Sequence, residues 1–528
     1  MTTLSFYGAA GTVTGSCSML DTGNVACLID CGLFQGNKTV RDLNRQPFPF
    51  DPKAADFLLL THAHTDHTGL VPKLMAQGFD KPIYATRATI DLMEFMLMDS
   101  ARIQESDTER TNRWRERRGK KPIESLYSQD DAKAALKKMT PVEYGDWIEP
   151  APGFHARYWN AGHILGSASI EVKFQEKGSG NTMRLLFSGD LGPDEKVFHP
   201  EPGGEQGFDY IVCESTYGDR DRDDYTLEGR REALRVELVA GLERGGNIVI
   251  PSFAVERSQE LLHDIGALLA DGSIPEATVF LDSPLASKVT QVFVDHADHL
   301  EDVAMPTSKL FRDKNFRITQ SVEDSKAINR IRSGAIIISA SGMADAGRIL
   351  HHLKNNIWRP ECTVLFVGYQ APGTLGSIIR SGKKDVRIHG KEFKVEADIR
   401  GIGNYSAHAD QGELIDWIME RAPVAGALFL NHGDDDARAE LRRLLGEKGM
   451  DGDKILMPQF DESFDLSAGT PVSKGRAEPR IEAAALKTDW YNDYAAFMLA
   501  LGNAMEDSAN DGKRREMLAA LNETLAKG

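Results

Sequence analysis

Thr61-His62-Ala63-His64-Thr65-Asp66-His67-Thr68-Gly69 follows directly on the apolar run Phe57-Leu58-Leu59-Leu60. Three histidines and one aspartate within the six positions 62–67 form a density that core packing does not explain. Imidazole is a neutral nitrogen ligand suited to zinc, and aspartate adds an anionic oxygen. Residues two apart share a face at the end of a strand, so His62 and His64 can point together. The turn that follows can aim Asp66 and His67 elsewhere, at a second metal. The internal position and the apolar flanks exclude an expression tag. The stretch therefore reads as a strand running into a metal-binding loop.

Outward from this point the chain divides by pattern. Before it, LSFYGAAG, SCSMLDTG and ACLIDCG are short β segments broken by glycines, which predicts an antiparallel meander. After it, HTGLVPKLMAQG and RATIDLMEFMLMDSARIQ carry helical spacing. Two further strands lead into HARYWNAGHILGSA and RLLFSGDLG. From about residue 215 four strand-then-helix units follow: NIVIPSFAVERSQELLHDI, ATVFLDSPLASKVTQVF, GAIIISASGMADAGRILHHL and TVLFVGYQAPGTLGSII. Such alternation predicts a parallel sheet covered on both faces. KVEADIRG and GALFLNHGD then return to the style of the first block, so one domain is interrupted by another. The expected boundaries are 1–214 and 389–470 for the interrupted domain, 215–388 for the insertion, and 471–528 for a linker and helical tail. In that tail Trp490, Tyr494, Phe497, Met498 and Leu501 share one helical face, as in a helix that docks or self-associates.

The His-rich loop, with its neighbours, resembles the metallo-β-lactamase fold. Leu28-Ile29-Asp30-Cys31-Gly32 looks like the first motif of that fold, whose aspartate is usually structural. His163 in AGHILGS looks like the third motif and Asp190 in FSGDLG like the fourth. The resemblance narrows to the β-CASP branch, which includes RNA nucleases and the cleavage subunit of the polyadenylation machinery. Glu214 in ESTYG resembles motif A, His408 in SAHAD motif B, and His432 in LNHGD motif C. VTGS, PSFAVERSQELL, DSPLA, SGM with GRILHHL, and GYQAPGTLG are supporting matches. Together the matches run over roughly residues 3 to 435. The fold class so implied is α/β: an αββα metallo-β-lactamase sandwich interrupted by a β-CASP domain with a helix-flanked parallel sheet, followed by a C-terminal helical extension.

The resemblance also implies a site. His62, His64 and His163 would hold one zinc ion, and Asp66, His67 and His432 a second, with Asp190 bridging them. A hydroxide shared by the two ions would be the nucleophile. His408, oriented by Glu214, would be the general acid, and Asp66 would act within the catalytic set. The expected activity is zinc-dependent hydrolysis of RNA phosphodiester bonds, endonucleolytic, 5′-exonucleolytic or both. The other broad use of the fold, hydrolysis of small thioesters, lactones or lactams, is the alternative; a DNA nuclease and a non-catalytic scaffold stand behind it. Departures occur beyond the ligands: Asp219-Arg220-Asp221-Arg222-Asp223-Asp224 stands where the branch often has a histidine, and Asp345-Ala346-Gly347 where it often has two glycines. His351, His352 and His389 match no family role and read as structural. Cys31 reads as a buried thiol.

Composition constrains what the rest of the surface does. The 528 residues carry 62 Lys+Arg against 79 Asp+Glu, a net charge of −17, which argues against general affinity for polyanions. No run of 18 apolar residues predicts a membrane-spanning helix. No signal peptide is evident at the N-terminus, and five cysteines without a C-x-x-C pair suit reduced thiols in the cytoplasm. One local stretch, Arg102 to Lys121, holds eight Lys/Arg and four Asp/Glu. Arg113, Trp114 and Arg115 within it offer phosphate contact and base stacking, against the plainer reading of a solvated helix of mixed charge. Backbone amides around Gly373 and Thr374 are a second candidate for phosphate contact. The expected partner is single-stranded RNA, with homo-oligomerisation through the tail a further expectation.

Overall fold

The computed structural model describes residues 2–177, 180–221, 226–301, 303, 311–371, 373–466, 470–476, 480–481, 484–487, 497, 500–502, 504–505, 508 and 510–527. Two sheets face each other in the interrupted domain. The first is ordered Val472–Arg476, Glu462–Asp465, Thr3–Phe6, Ser18–Asp21, Ala26–Ile29, Phe57–Leu59, Ile83–Thr86, Met139–Val142. The second is ordered Ile455–Leu456, Ala427–Leu430, Tyr210–Cys213, Thr182–Phe187, Ala168–Gln175, Phe154–Asn160, Trp147–Ala151. The N-terminal strands pair antiparallel, as the short glycine-broken segments predict, while Ala26–Ile29 and Phe57–Leu59 run parallel.

Strand alternation builds the layers. Cys27, Ile29, Phe57 and Leu59 point inward and meet Phe154, Ile170, Val172 and Phe187 of the facing sheet. Leu28 and Leu58, on the opposite pleat, pack outward with Leu70, Leu74, Leu92 and Met93 of the helical segments beyond them. On the other side Ile211, Leu428 and Leu430 pack outward against Leu414, Ile418, Leu441 and Leu445. Helix, sheet, sheet and helix thus stack in the expected αββα order.

The insertion carries a sheet ordered Phe316–Ile318, Thr278–Leu281, Ala335–Ser339, Ile248–Pro251, Thr363–Phe366, Asp398–Gly401, every pair of it parallel. Ile248, Ile250, Ile336 and Ile338 face the helix residues Leu234, Leu238, Leu261 and Ile265. Val249, Ile337, Val364 and Phe366 face Ile349, Leu353 and Ile379 on the opposite side. The sandwich is expected to resume at residue 389, after an insertion ending at 388. Asp398–Gly401 pairs with Thr363–Phe366 at the edge of the inserted sheet, because Ile399 completes the apolar face there. The chain leaves the inserted layer after Gly401, on the way to Ser406 and His408.

Past the last sheet strand, Arg480 binds Asp461 and the Tyr7 carbonyl, and Asn37 donates to the Ala485 carbonyl at 2.8 Å. A helix spans Asp511–Lys527. Of the tail residues placed on one face by the sequence, Trp490, Tyr494 and Met498 lie outside the described residues. Among the described residues no helix is long and apolar enough to cross a membrane.

Candidate metal centre and catalytic cleft

Loops at the ends of both sandwich sheets converge on one place. Leu60–Ala63 leave the strand Phe57–Leu59 buried, and the four-residue helix Thr65–Thr68 turns the chain so that Asp66 and His67 face the same space. That turn requires a close approach from the first motif: a side chain on Gly32 would meet the Asp66 carbonyl oxygen at 1.6 Å. Gly192 has the same role for the other loops, since a side chain there would meet the Gly162 carbonyl at 1.9 Å, beside His163. Only glycine lets these backbones lie in contact.

One ligand atom from each of His62, His64, His163 and Asp190 falls within 4.8 Å of the others, as do those of Asp66, His67 and His432. Within the first group His64 Nδ1 lies 3.1 Å from both His62 Nε2 and His163 Nε2. Within the second, His67 Nε2 lies 3.2 Å from His432 Nε2. Asp190 reaches both: its Oδ2 is 3.6 Å from His62 and from His163, and its Oδ1 is 3.2 Å from His67 and 3.5 Å from His432.

The rings are held from behind. His163 Nδ1 bonds the Ala407 carbonyl at 2.8 Å, which leaves Nε2 as the free lone pair toward the cluster. His67 Nδ1 meets Asp30 Oδ2 at 2.7 Å, and Asp30 also accepts the Thr61 N–H and hydroxyl, both at 2.9 Å. Asp30 is the motif aspartate expected to be structural, and its contacts orient both the strand end and a cluster histidine.

Burial pushes His62 and His163 well below the ordinary histidine range and His64 down to about 4, so these rings present neutral nitrogen. Burial opposes the Asp190 carboxylate, yet His432, His67 and His62 hold it well below the usual range. Asp190 Oδ1 is buried without a hydrogen-bond partner among the described residues. A buried anionic oxygen facing convergent imidazole lone pairs is costly in isolation and is the donor set that a divalent cation satisfies. The residues present fit a metal pair.

Beside this cluster, His408 Nδ1 lies 3.1 and 3.2 Å from the two Glu214 oxygens, and His408 Nε2 lies 3.9 Å from Asp190. Glu214 is buried and also accepts the Leu191 N–H at 2.6 Å and the Thr216 hydroxyl at 2.5 Å. The His408 ring is partly open to solvent, so a group arriving from outside can reach it.

The chain is 37% identical over 471 residues to "Ribonuclease TTHA0252" of Thermus thermophilus, covering 88% of this chain and 99% of that protein. It belongs to the β-CASP family of metallo-β-lactamase-fold hydrolases. The matching family profiles are the "Metallo-beta-lactamase superfamily" over residues 10–226, the "Beta-Casp domain" over 258–379 and the "Zn-dependent metallo-hydrolase RNA specificity domain" over 392–458. This β-CASP protein is thus a metal-dependent hydrolase. It is also 30% identical over 451 residues to "Transcription termination factor FttA" of Methanosarcina mazei, covering 82% of this chain and 67% of that one. The crystal structure of a protein of unknown function from Enterococcus faecalis V583 shares the fold, with TM-score 0.51 at 12% identity over 88% of this chain and 99% of that one.

Other sequence-derived candidates in the β-CASP hydrolase land elsewhere. Arg113, Trp114 and Arg115 lie at the far end of the helix Arg87–Glu116. Its first turn touches the His163 loop through Thr89 Oγ1 and the Gly166 carbonyl, so at 1.5 Å per residue Trp114 stands about 37 Å farther along the axis. Arg118 covers the Trp114 ring at 4.1 Å. The structure does not bring this group to the cleft. Thr374 caps the short helix Leu375–Arg380 and donates to the Ala371 carbonyl, and the Leu375 N–H beside it is taken by Asp345. A first-turn amide near Gly373 is therefore already bonded to a carboxylate. Residues 222–224 of the Asp/Arg stretch lie outside the described residues. His352 binds Asp282 at 2.6 Å, the His351 and His389 rings lie tilted to one another with centroids 4.7 Å apart, and Cys31 is a buried thiol whose pKa burial raises well above normal.

Sequence reasoning missed the buried group that backs the His163 loop. Lys196 donates to the His163 carbonyl, and Glu256 accepts from Leu165 N–H at 3.1 Å and pairs with His199 at 2.6 Å. Glu256 has φ +66°, a left-handed conformation that disfavours a side chain. In sequence, Glu256 sits inside the match PSFAVERSQELL, where residue type alone gives no signal of burial.

Proposed function

We propose that the protein is a zinc-dependent ribonuclease that hydrolyses phosphodiester bonds of single-stranded RNA. His62, His64, His163 and Asp190 would hold one zinc ion, and Asp66, His67, His432 and Asp190 a second. When bound, such a pair supplies positive charge to the phosphoryl oxygens and activates water for attack near neutral pH.

This chain's own residues supply the rest. The buried neutral imidazoles of His62, His64 and His163 present lone pairs, and Asp66 and Asp190 would balance part of the charge of bound metal, leaving an excess that suits a phosphodiester anion. His408 is the general acid: Glu214 fixes its Nδ1 side, so Nε2 carries the transferable proton toward the leaving oxygen. Thr216 and Leu191 hold Glu214 in the geometry that orients His408. The observation that carries the proposal is this Glu214–His408 pair at 3.1 Å on the rim of the cluster, partly open to solvent. A thioester expels a thiolate that needs no protonation, whereas the alkoxide leaving a phosphodiester does, so a dedicated acid at the rim favours the phosphodiester over a thioester. The 37% identical Thermus protein named as a ribonuclease supports the same reading.

The test is incubation of the zinc-loaded chain with end-labelled RNA, matched single-stranded DNA and a generic thioester. RNA should be cleaved in preference to the other two. Cleavage of RNA that survives Asp66→Ala or His408→Ala would sink the assignment.

A further inference from the structure

We propose that Phe253 and Tyr369 form a stacking platform for two unpaired RNA bases on the leaving-nucleotide side of the cleft. The proposal rests on the ribonuclease reading above and names a subsite within it.

Topology brings the two rings to one edge. In the inserted sheet Ile248–Pro251 lies between Ala335–Ser339 and Thr363–Phe366, all parallel. Segments leaving the carboxyl ends of adjacent parallel strands meet in the crevice where open α/β sheets bind ligands. Phe253 leaves the central strand, Gly342 and Met343 the strand on one side, and Tyr369 and Gln370 the strand on the other. The three segments touch. A side chain on Gly342 would meet Phe253 ring carbons at 3.2 Å, so glycine there makes room for the ring. Gln370 Nε2 donates to the Gly342 carbonyl at 3.0 Å, and the Ala371 N–H to Met343 Sδ at 3.3 Å.

Both rings face water. Phe253 is 48% exposed and Tyr369 56%, at an edge whose scaffold strands are completely buried. The path from them leads to the general acid. Tyr369 lies within electrostatic reach of Tyr217 and Arg220, which follow the Glu214 motif, and of Asp434, two residues past His432. Tyr217 stands edge-on to His408 with ring centroids 5.9 Å apart, and its hydroxyl accepts from Ser406 Oγ at 3.3 Å. Arg257 donates to the Val367 carbonyl, two residues before Tyr369, and lies over the Tyr405 ring at 5.8 Å, three residues before His408, so the edge that carries Phe253 and Tyr369 adjoins the segment that carries the acid. Because His408 protonates the leaving oxygen, this is the side on which the leaving nucleotide sits.

The local charge selects bases over phosphates. Arg220 and Arg380 are exposed there, but Asp219 lies 3.4 Å from Arg220, and Asp434 acts on Tyr369 with the opposite sign to Arg220. A surface of mixed sign gives phosphates little net attraction, whereas every base has a π face that stacks on an aromatic ring regardless of sequence. A base paired within a duplex is already stacked between its neighbours, so the platform admits unpaired strand. This gives the strongly acidic protein a route to hold RNA that does not depend on net positive charge.

The experiment uses the zinc-loaded full chain and a short unpaired oligoribonucleotide, with initial rates for wild type, Phe253→Ala, Tyr369→Ala and the double variant. KM should rise roughly 5- to 100-fold per ring, the range of one base stack, with kcat at saturation little changed. Phe253→Tyr and Tyr369→Phe should restore KM. The same oligonucleotide made abasic at the two leaving-side positions, located from the product ends, should show the same KM with wild type and double variant. Equal KM for wild type and double variant on intact RNA overturns the platform, and so does a KM defect that persists unchanged on the abasic strand. Failure of wild type to cleave the intact strand would instead overturn the ribonuclease reading on which the platform rests, and is read before any variant is compared.

Discussion

Glu256, from the inserted layer, accepts the backbone N–H of Leu165 at 3.1 Å, two residues beyond His163 in the sandwich. The same carboxylate pairs with His199 and lies 3.6 Å from Lys196, whose ammonium holds the His163 carbonyl. Two domains are thus joined through one buried anion, directly behind the metal cluster. Burial opposes its charge, but His199 and Lys196 hold the Glu256 carboxyl at about 2.

Glu256→Gln keeps the shape and leaves Lys196 buried without its counter-charge. It should destabilise the protein by about 3 kcal/mol in urea unfolding, as expected when one partner of a buried ion pair is removed. The pH dependence follows in sign: between about 2 and the unfolded value of 4.5 the unfolded state binds more protons. The Glu256 contribution is fully present above 4.5 and is lost as pH falls through about 2. Glu256→Gln should flatten the wild-type acid limb over that window. An unchanged limb would show that the contribution lies elsewhere.

Removing His408 separates chemistry from metal binding. His408→Ala should lower kcat by about 10²- to 10⁴-fold on RNA while bound zinc stays at the wild-type level. Glu214→Gln should follow in the same direction with a smaller loss, since the ring remains but its orientation relaxes. Zinc measured by mass spectrometry decides whether either variant has disturbed the cluster instead.

Chelation and ligand removal should dissect the cluster. Wild type should carry close to two zinc ions per chain, and dialysis against a chelator should abolish RNA cleavage and lower the melting temperature, both restored by zinc. His163→Ala should lose one equivalent, whereas Asp190→Asn should weaken both because Asp190 faces each group. A wild-type chain with one equivalent would remove the paired-metal proposal.

Asp282 is the corresponding hub inside the inserted layer. His352, Arg348, Thr319 and Ser325 all bond it, and together they outweigh burial and hold its carboxyl far below the usual range. Asp282→Ala leaves Arg348 and His352 without their anion and should cost about 3 to 5 kcal/mol. Hydrogen exchange should report the loosening in the parallel sheet, with zinc content unaffected.

The basic helix tip makes the opposite prediction. Because Trp114 stands about 37 Å along its helix from the His163 loop, Trp114→Ala with Arg113→Ala should leave cleavage of a short RNA unchanged. A salt-dependent loss confined to long RNA would assign the tip an outlying contact. A fall in kcat on the short strand would place it in the cleft after all.

What the sequence revealed depended on whether chemistry lay in residue type or in conformation. His62 to His67 were legible as candidate ligands because they crowd donor atoms at a strand end, whereas His163, Asp190 and His432 came only from the resemblance of their motifs. The four residues of the strand Asp398–Gly401 carry no mark of which sheet they join. Only the pairing to Thr363–Phe366 decides it. Trp114 looked like an RNA contact by composition, although the helical run from Arg87 already fixed its distance. Glu256 and Lys196 were invisible for the opposite reason: their meaning comes from burial and a left-handed backbone, which no local pattern encodes.

His67 and His432 touch at 3.2 Å although 365 residues separate them in the chain. Ribosomal synthesis runs from the N-terminus, so His432, the last member of the two groups, emerges only after the whole inserted layer has been made. A growing chain therefore carries four of the five clustered histidines, His62, His64, His67 and His163, before His432 is made. The second group of ligand atoms is completed only by a strand made after the whole inserted layer, so its assembly depends on that layer having left the sandwich free to close.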